Sequence, residues 1–213
     1  VVPNPDLKPE KSLNYEAGSS FKADGVFGSD DHLFAKAVFF YDDVKDFIAP
    51  KGWFEPTTPP TVYYSSQNVG HVVRKGIELS GTYAAGQFST SVSYGLLHAV
   101  DKETNERMNG ITPQSANLKL AYAFPAQAIN VWYRAHWSKG GESSVEDRAT
   151  GKNLHFSSFL THSLGAEWSP KVADLANLQA GIAVVNLFDK EYRMLNGSYG
   201  SGRGVRLWLS AQF

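Results

Sequence analysis

VRLWLSAQF, residues 205–213, decides the fold, because its apolar residues return at every second position. Val205, Leu207, Leu209, Ala211 and Phe213 share one face, while Arg206, Ser210 and Gln212 share the other with Trp208. A period of two is the mark of a strand with one apolar and one wet side. ANLKLAYAF (116–124) has the same rhythm. Phe88, Val92, Tyr94 and Leu96 oppose Ser89, Ser91, Ser93 and Gly95. Ile129, Val131, Tyr133, Ala135 and Trp137 oppose Asn130, Trp132, Arg134, His136 and Ser138, and Leu154, Phe156, Leu160, Leu164 and Trp168 oppose His155, Ser157, Thr161, Ser163 and Glu167.

A β-sandwich produces the same alternation with its apolar face turned inward. Strand length and loop asymmetry favour a membrane barrel instead. Sandwich strands run about 5–6 residues, whereas 32–48, 61–84 and 152–169 read as continuous over more than about ten, enough to cross a bilayer at a tilt. Links on one side are short or moderate: AAGQ (84–87), FPAQ (124–127), DGVFGSDD (24–31) and SPKVADLAN (169–177). Those on the other side are longer, at 49–60, 100–112, 139–152 and 189–202. Tyr83, Tyr122, Phe124, Trp137 and Trp168 fall near strand ends, where a barrel carries its aromatic girdles.

Nine strands are expected: roughly 11–24, 32–48, 61–84, 87–99, 113–124, 127–138, 153–168, 177–188 and 203–213. An odd count conflicts with the even strand number of a bacterial single-chain barrel. Counting back from a final strand that descends to the periplasm, the first strand also descends, so the chain is expected to begin in mid-barrel.

Composition narrows the function. Twenty basic and twenty-one acidic residues leave a net charge of −1, so no electrostatic footprint for nucleic acid is present and no nucleic-acid partner is expected. The chain has no cysteine, which removes disulfides, thiolate metal sites and cysteine nucleophiles. No apolar run is long enough for a transmembrane helix. No G-x-S-x-G, H-E-x-x-H or phosphate-binding glycine loop is present, and Asp42 and Asp43 read as a solvated strand end. Ser158 and His162 leave a hydrolase barrel as an alternative class. Four residues apart on a strand is about 13 Å, too far for a direct hydrogen bond, and no catalytic residue is assigned.

NPDLKPEKSLNYEAG (4–18) resembles the N-P-x-L-x-P-E…S-x-x-Y-E-x-G signature of TonB-dependent outer-membrane receptors. LFAKAVFFYDDVKDFI (33–48), QNVGHVVRKGIELSGTY (67–83), VVNLFDKEYR (184–193) and the closing strand with Phe213 follow in that family's order. The resemblance covers the whole chain. It implies an all-β transmembrane antiparallel barrel of about 22 strands, with residues 1–213 as its last nine strands and the plug and earlier strands outside this sequence. It further implies active uptake of an iron complex across the bacterial cell outer membrane, as a monomer embedded in outer-membrane lipid. TonB would be the energy-coupling partner, reached through a plug and box not in this chain. No resident cofactor is implied; the iron complex, heme or ferric siderophore and less often cobalamin, is cargo. A passive porin-like channel is the alternative. In NPDLKPE, the fixed φ of Pro5 and Pro9 suits a rigid entry into the wall more than substrate contact. Asn186 and Asp189 in NLFDKEY suit backbone capture as a strand ends.

Ligand candidates follow from phase and height on the strands. His136 and His155 occupy the lumen phase near the loop ends of neighbouring strands and are the candidate metal ligands if the cargo is heme. His32 falls at a periplasmic turn, His71 lies well down its strand, and His98 and His162 share the lipid phase. Arg134 offers a cation for anionic cargo, as do Arg148, Arg193 and Arg203, with Arg193 and Arg203 equally placed to pair with acids. Trp53 and Phe54, with Tyr63 and Tyr64 on the returning strand, offer aromatic faces for stacking.

Overall fold

The computed structural model describes residues 3–55, 61–68, 70–146, 152–171 and 177–212. Among them the strands are β1 (Lys11–Asp24), β2 (Asp31–Lys45), β3 (Ile48–Glu55), β4 (Thr61–Asn68), β5 (Val72–Ala85), β6 (Phe88–Asp101), β7 (Gln114–Phe124), β8 (Ile129–Ser138), β9 (Gly141–Glu146), β10 (Asn153–Phe156), β11 (Phe159–Trp168), β12 (Asn177–Val185) and β13 (Gly204–Gln212). Nine form one antiparallel sheet in the order β1-β2-β5-β6-β7-β8-β11-β12-β13. That meander is the expected nine-strand wall, with short turns such as Gly86–Gln87 alternating with long connections.

Two expected strands are interrupted. The segment 61–84 divides into β4 and β5, and 153–168 into β10 and β11, because two of the long connections carry hairpins of their own, β3–β4 and β9–β10. At the first break Asp46 and Gly70 take left-handed φ of 54° and 109°, and Asn68 donates its side-chain amide to the Asp46 carbonyl at 2.6 Å. Such side-chain bonds to backbone compete with the ladder. At the second break the 156–158 backbone crosses so close to Gly140 that a Cβ there would lie 2.1 Å from the Phe156 carbonyl oxygen.

The chain partitions into two compact units: Val1–Ala17, Phe39–Gly76 and His98–Met108 make the first, and Gly18–Val38, Ile77–Leu97 and Asn109–Phe213 the second. In the first unit, the opening stretch is held by side chains that replace a ladder. Asn68 accepts from the Lys8 amide at 2.8 Å and donates to the Lys8 carbonyl at 2.9 Å. Asn4 donates to the Ser66 carbonyl at 3.0 Å, and Glu10 accepts from the Ile48 amide at 2.5 Å. The N-P-x-L-x-P-E pattern thus has an architectural use in which Asn4 and Glu10 supply the bonds.

Asp42 and Asp43, expected at a solvated strand end, are both taken up. Asp42 is buried; it accepts from Ser12 Oγ at 2.5 Å and from Arg74 Nε at 2.9 Å, which joins β1, β2 and β5. His71 Nε2 lies 2.7 Å from Asp43. A buried carboxylate is tolerated because its charge and lone pairs are met.

In the second unit the buried cluster is Ala121, Trp132 and Ala183, with Trp208 packed against it. Each tryptophan lies across the glycine facing it on the next strand, Trp132 over Gly165 and Trp208 over Gly181. A Cβ would meet the ring at 2.4 Å in the first pair and 2.0 Å in the second. The opposite face is apolar and open: Leu207 and Leu209 are 76% and 74% exposed, against 5% for Trp132. Near the short-turn ends it carries Tyr122 and Phe124 edge to face at 4.9 Å, and Phe27 against Tyr83 at 5.8 Å.

The 24–31 turn closes around one carboxylate. Asp31 accepts from the amides of Val26, Phe27 and Gly28 at 2.7, 2.7 and 3.0 Å, and from the Tyr83 hydroxyl at 3.1 Å. Burial alone raises the Asp31 pKa, but these four donors outweigh it and hold the group below the ordinary 3.8.

Gly181→Ala is expected to destabilise the detergent-solubilised barrel by about 1–3 kcal/mol, read by thermal unfolding, and most of the loss should vanish in a Trp208→Ala background. A depressed folded-state pKa stabilises above the unfolded value and fades as pH falls. Amide exchange at Val26, Phe27 and Gly28 should therefore stay slow at pH 5 and lose protection only as pH drops below the usual carboxylate range. In Asp31→Asn that pH dependence should be absent.

Candidate functional site

The polar face of the second unit is built from aligned rungs, because β6, β7, β8 and β11 share one register. Ser91 faces Lys119, Lys119 faces Arg134, and Arg134 faces Ser163. One rung toward the long-loop end, Ser93 faces Asn117, Asn117 faces His136, and His136 faces Thr161. One rung in the other direction, Ala121, Trp132 and Gly165 line up as an apolar floor. A cleft of about 570 Å³ lies over the two polar rungs, edged by Phe34, Ser80 and Thr82 of β2 and β5.

Each polar side chain in the cleft has an identifiable hold. The Arg134 guanidinium stacks over the Trp132 ring at 4.6 Å, which fixes its plane and leaves its edge N–H groups for other partners. His136 Nδ1 is 2.8 Å from Asn117 Oδ1, and Asn117 Nδ2 donates to Ser93 Oγ at 3.1 Å. An amide oxygen can only accept, so Nδ1 carries the proton and Nε2 bears the lone pair, as in an imidazole oriented for metal coordination.

The expected ligand residues divide among three places. Arg134 and His136 share the cleft just described. His155 is exposed on β10 opposite Glu142 and lines a different cleft of about 730 Å³, with Phe159, Asp189, Lys190, Tyr192, Arg193 and Tyr199. Phe159 touches both sides, with its ring 5.8 Å from His136 and stacked 4.1 Å from Tyr192. Trp53 and Phe54 lie on β3 and Tyr63 and Tyr64 on β4 in the first unit, with Trp53 facing Tyr63, Phe54 facing Val62 and Gly52 facing Tyr64. Arg148 lies outside the described residues. Among the described residues no group of three or more His, Asp or Glu side chains is placed to hold a metal ion.

Arg193 does not pair with an acid among the described residues. Its guanidinium lies 3.9 Å from the Tyr199 ring and 5.7 Å from that of Phe156, and it donates to the Tyr199 hydroxyl. It therefore ties β10 to the 186–203 connection. That connection starts at a turn in which Asn186 and Asp189 have left-handed φ. Buried Asn186 donates to the carbonyls of Lys190 and Ser201 at 2.9 Å each, and Asp189 accepts from the Arg203 amide at 2.7 Å. Backbone capture is thus the role of NLFDKEY. Ser158 and His162 are not joined: Ser158 accepts from the Gly140 amide at 2.9 Å, and His162 Nδ1 lies 2.5 Å from the Tyr133 hydroxyl.

An antiparallel meander with one apolar face, one rung-built polar face and alternating short and long connections defines the wall of a bacterial outer-membrane barrel. The family model "TonB dependent receptor-like, beta-barrel" matches residues 1–187, and the chain belongs to that family. Membership places it in the outer membrane of Gram-negative bacteria, in a family of receptors and not of enzymes. The chain is 25% identical over 210 residues to heme/hemopexin utilization protein C of Haemophilus influenzae, covering 97% of this chain and 29% of the relative. It is 24% identical over 215 residues to the hemin receptor of Yersinia pestis, covering 100% of this chain and 30% of the relative. Among solved structures, the copper transporter OprC superposes with a TM-score of 0.73 at 19% identity, over 96% of this chain and 31% of that one, a likeness of fold. The chain therefore spans about a third of the length of the proteins it matches.

Reading the sequence alone put Lys119, Asn117 and Trp132 in the wet phase of their strands but did not single them out as candidate site residues. The phase of ANLKLAYAF held the signal for Lys119, but its facing partner follows only from the register across the Pro125–Gln127 turn. Arg193→Ala is expected to free β10 from the 186–203 connection. Limited proteolysis of the detergent-solubilised barrel should then cut within 139–158 or 193–200 several times faster than in the parent; an unchanged pattern would argue against this tie.

Proposed function

We propose that residues 1–213 form the C-terminal wall of a monomeric TonB-dependent receptor that takes up heme. On this reading the apolar face meets outer-membrane lipid and the polar face lines the lumen. The plug and the box that contacts TonB belong to the part of the receptor outside this chain. The observation that carries the cargo is that several relatives named for heme or hemin align over 97–100% of this chain. The polar face supports it: His136 presents an oriented Nε2, Arg134 a stacked cation, and His155 a second imidazole in the neighbouring cleft. Trp53, Phe54, Tyr63 and Tyr64 on the β3–β4 hairpin are the proposed aromatic contacts on the loop side. The receptor has no resident cofactor and catalyses no reaction; the iron complex is its cargo.

The test uses the complete receptor, titrated with hemin, a ferric siderophore and cyanocobalamin while absorbance is followed. Hemin is expected to bind with a shifted Soret band that changes again in His136→Ala and His155→Ala combined. Cells carrying the receptor are expected to grow on hemin as iron source only when TonB is present. A response to the siderophore or cyanocobalamin alone would replace the cargo, and growth without TonB would favour a passive channel.

A further inference from the structure

The apolar phase of β5 and β6 changes character toward the long connections. On β5 it runs Leu79, Ile77 and then Lys75; on β6 it runs Tyr94, Leu96 and then His98. Across this phase of β5, β6, β7 and β8, Lys75 is the one formally charged side chain and His98 the one imidazole. Register brings the two together. The Lys102 amide donates to the His71 carbonyl at 2.7 Å, and four steps along each strand the same ladder sets Lys75 opposite His98. Arg107 joins them from the 100–112 connection, because it faces Val100, the next residue of this phase beyond His98. Facing Cβ atoms lie about 4.5–5.5 Å apart and diagonal ones about 7–8 Å, and both cations act on the His98 ring. All three residues belong to the first unit.

Lys75 and Arg107 are exposed, and among the described residues neither makes an ion pair. The acids close by are engaged or turned away. Asp43 lies 2.7 Å from His71 Nε2, Glu103 lies against Gly70, and Glu106 alternates to the side opposite Arg107. The cluster is not at an open edge, since β5 and β6 are flanked by β2 and β7 within this sheet. In the proposed receptor the plug meets the other face, and the earlier strands continue from β1 and β13.

A charge on a lipid-facing strand is costly at mid-bilayer and nearly free at the interface. Three basic groups that end apolar stripes therefore mark a headgroup level. Their ligand has to join an acyl body, which the stripes receive, to a head with more than one negative charge. A zwitterionic phospholipid brings its own cation, whereas a phosphate monoester carries about −1.5 to −2 near pH 7. We propose that Lys75, His98 and Arg107 form a site on the outer wall for the phosphorylated headgroup of an outer-leaflet lipid. Lys75 and Arg107 pair with the phosphate oxygens, and His98 donates a ring N–H. The site rests on the reading of the apolar face as lipid-facing and is independent of the cargo.

The experiment titrates the complete receptor in detergent with lipid A carrying both phosphates and with the same lipid after phosphatase treatment, and counts bound lipid by native mass spectrometry. The parent is expected to bind the phosphorylated lipid at least tenfold more tightly. Lys75→Gln with Arg107→Gln should abolish that difference and leave affinity for the dephosphorylated lipid within twofold of the parent. Lys75→Arg should retain most of the preference. No preference in the parent, or equal loss for both lipids in the double variant, would overturn the site while leaving the lipid-facing wall standing. Displacement of the lipid by an equal concentration of inorganic phosphate would make this a free-anion site and also overturns it. Failure of the parent to bind either lipid would instead remove the lipid-facing reading and the site with it.

Discussion

The antiparallel register of β6, β7, β8 and β11 is the constraint on which the candidate site depends. Side chains alternate between faces with a period of two, so a slip of one residue in any pair would exchange the faces. Lys119 would then enter the apolar side, and Leu118 the polar cleft. The register is held by turns with little freedom. One is Pro125–Gln127, closed by Ala128 with a left-handed φ of 54°; another is Gly86–Gln87, with Gly86 at 55°. Tryptophan rings laid over Gly165 and Gly181 oppose slippage from the polar side, because only a glycine directly opposite accommodates each indole.

The same rungs explain how a wall with little buried core remains specific. Few side chains are fully buried, and those that are include polar groups with complete sets of partners, such as Asp31, Asp42 and Asn186. Each of these organises a turn or joins strands through several hydrogen bonds. An apolar replacement would leave backbone amides or an arginine without partners, a loss of about 1–3 kcal/mol for each buried unsatisfied group. The family's short motifs fall on these positions: Asn4 and Glu10 in the opening stretch, and Asn186 and Asp189 in the connection before the last strand. They mark the architecture of the barrel and carry little information about cargo.

The proposed cargo contacts lie in the polar phase of otherwise ordinary strands. Arg134 and His136 belong to no local motif. They gain meaning from two facts of packing: the indole floor beneath Arg134 and the Asn117 amide that sets the tautomer of His136. His155 has a different setting, because the bend at Ser157–Ser158 carries it onto a separate hairpin beside the aromatic hold of Arg193.

Period-two alternation in segments such as 116–124 and 205–213 was enough to determine an all-β, two-faced wall of nine strands, and the order of long and short connections its meander. Both are local properties, since phase depends only on spacing along the chain. The family was legible too, because backbone-capturing residues such as Asn186 and Asp189 sit at fixed distances from strand ends. The breaks at Asn68–Val72 and Phe156–Phe159 were not legible, because they arise from side chains and backbone brought together from distant segments. The facing of Lys119 and Arg134 was likewise decided only by the tertiary structure, because the turn between their strands sets the register.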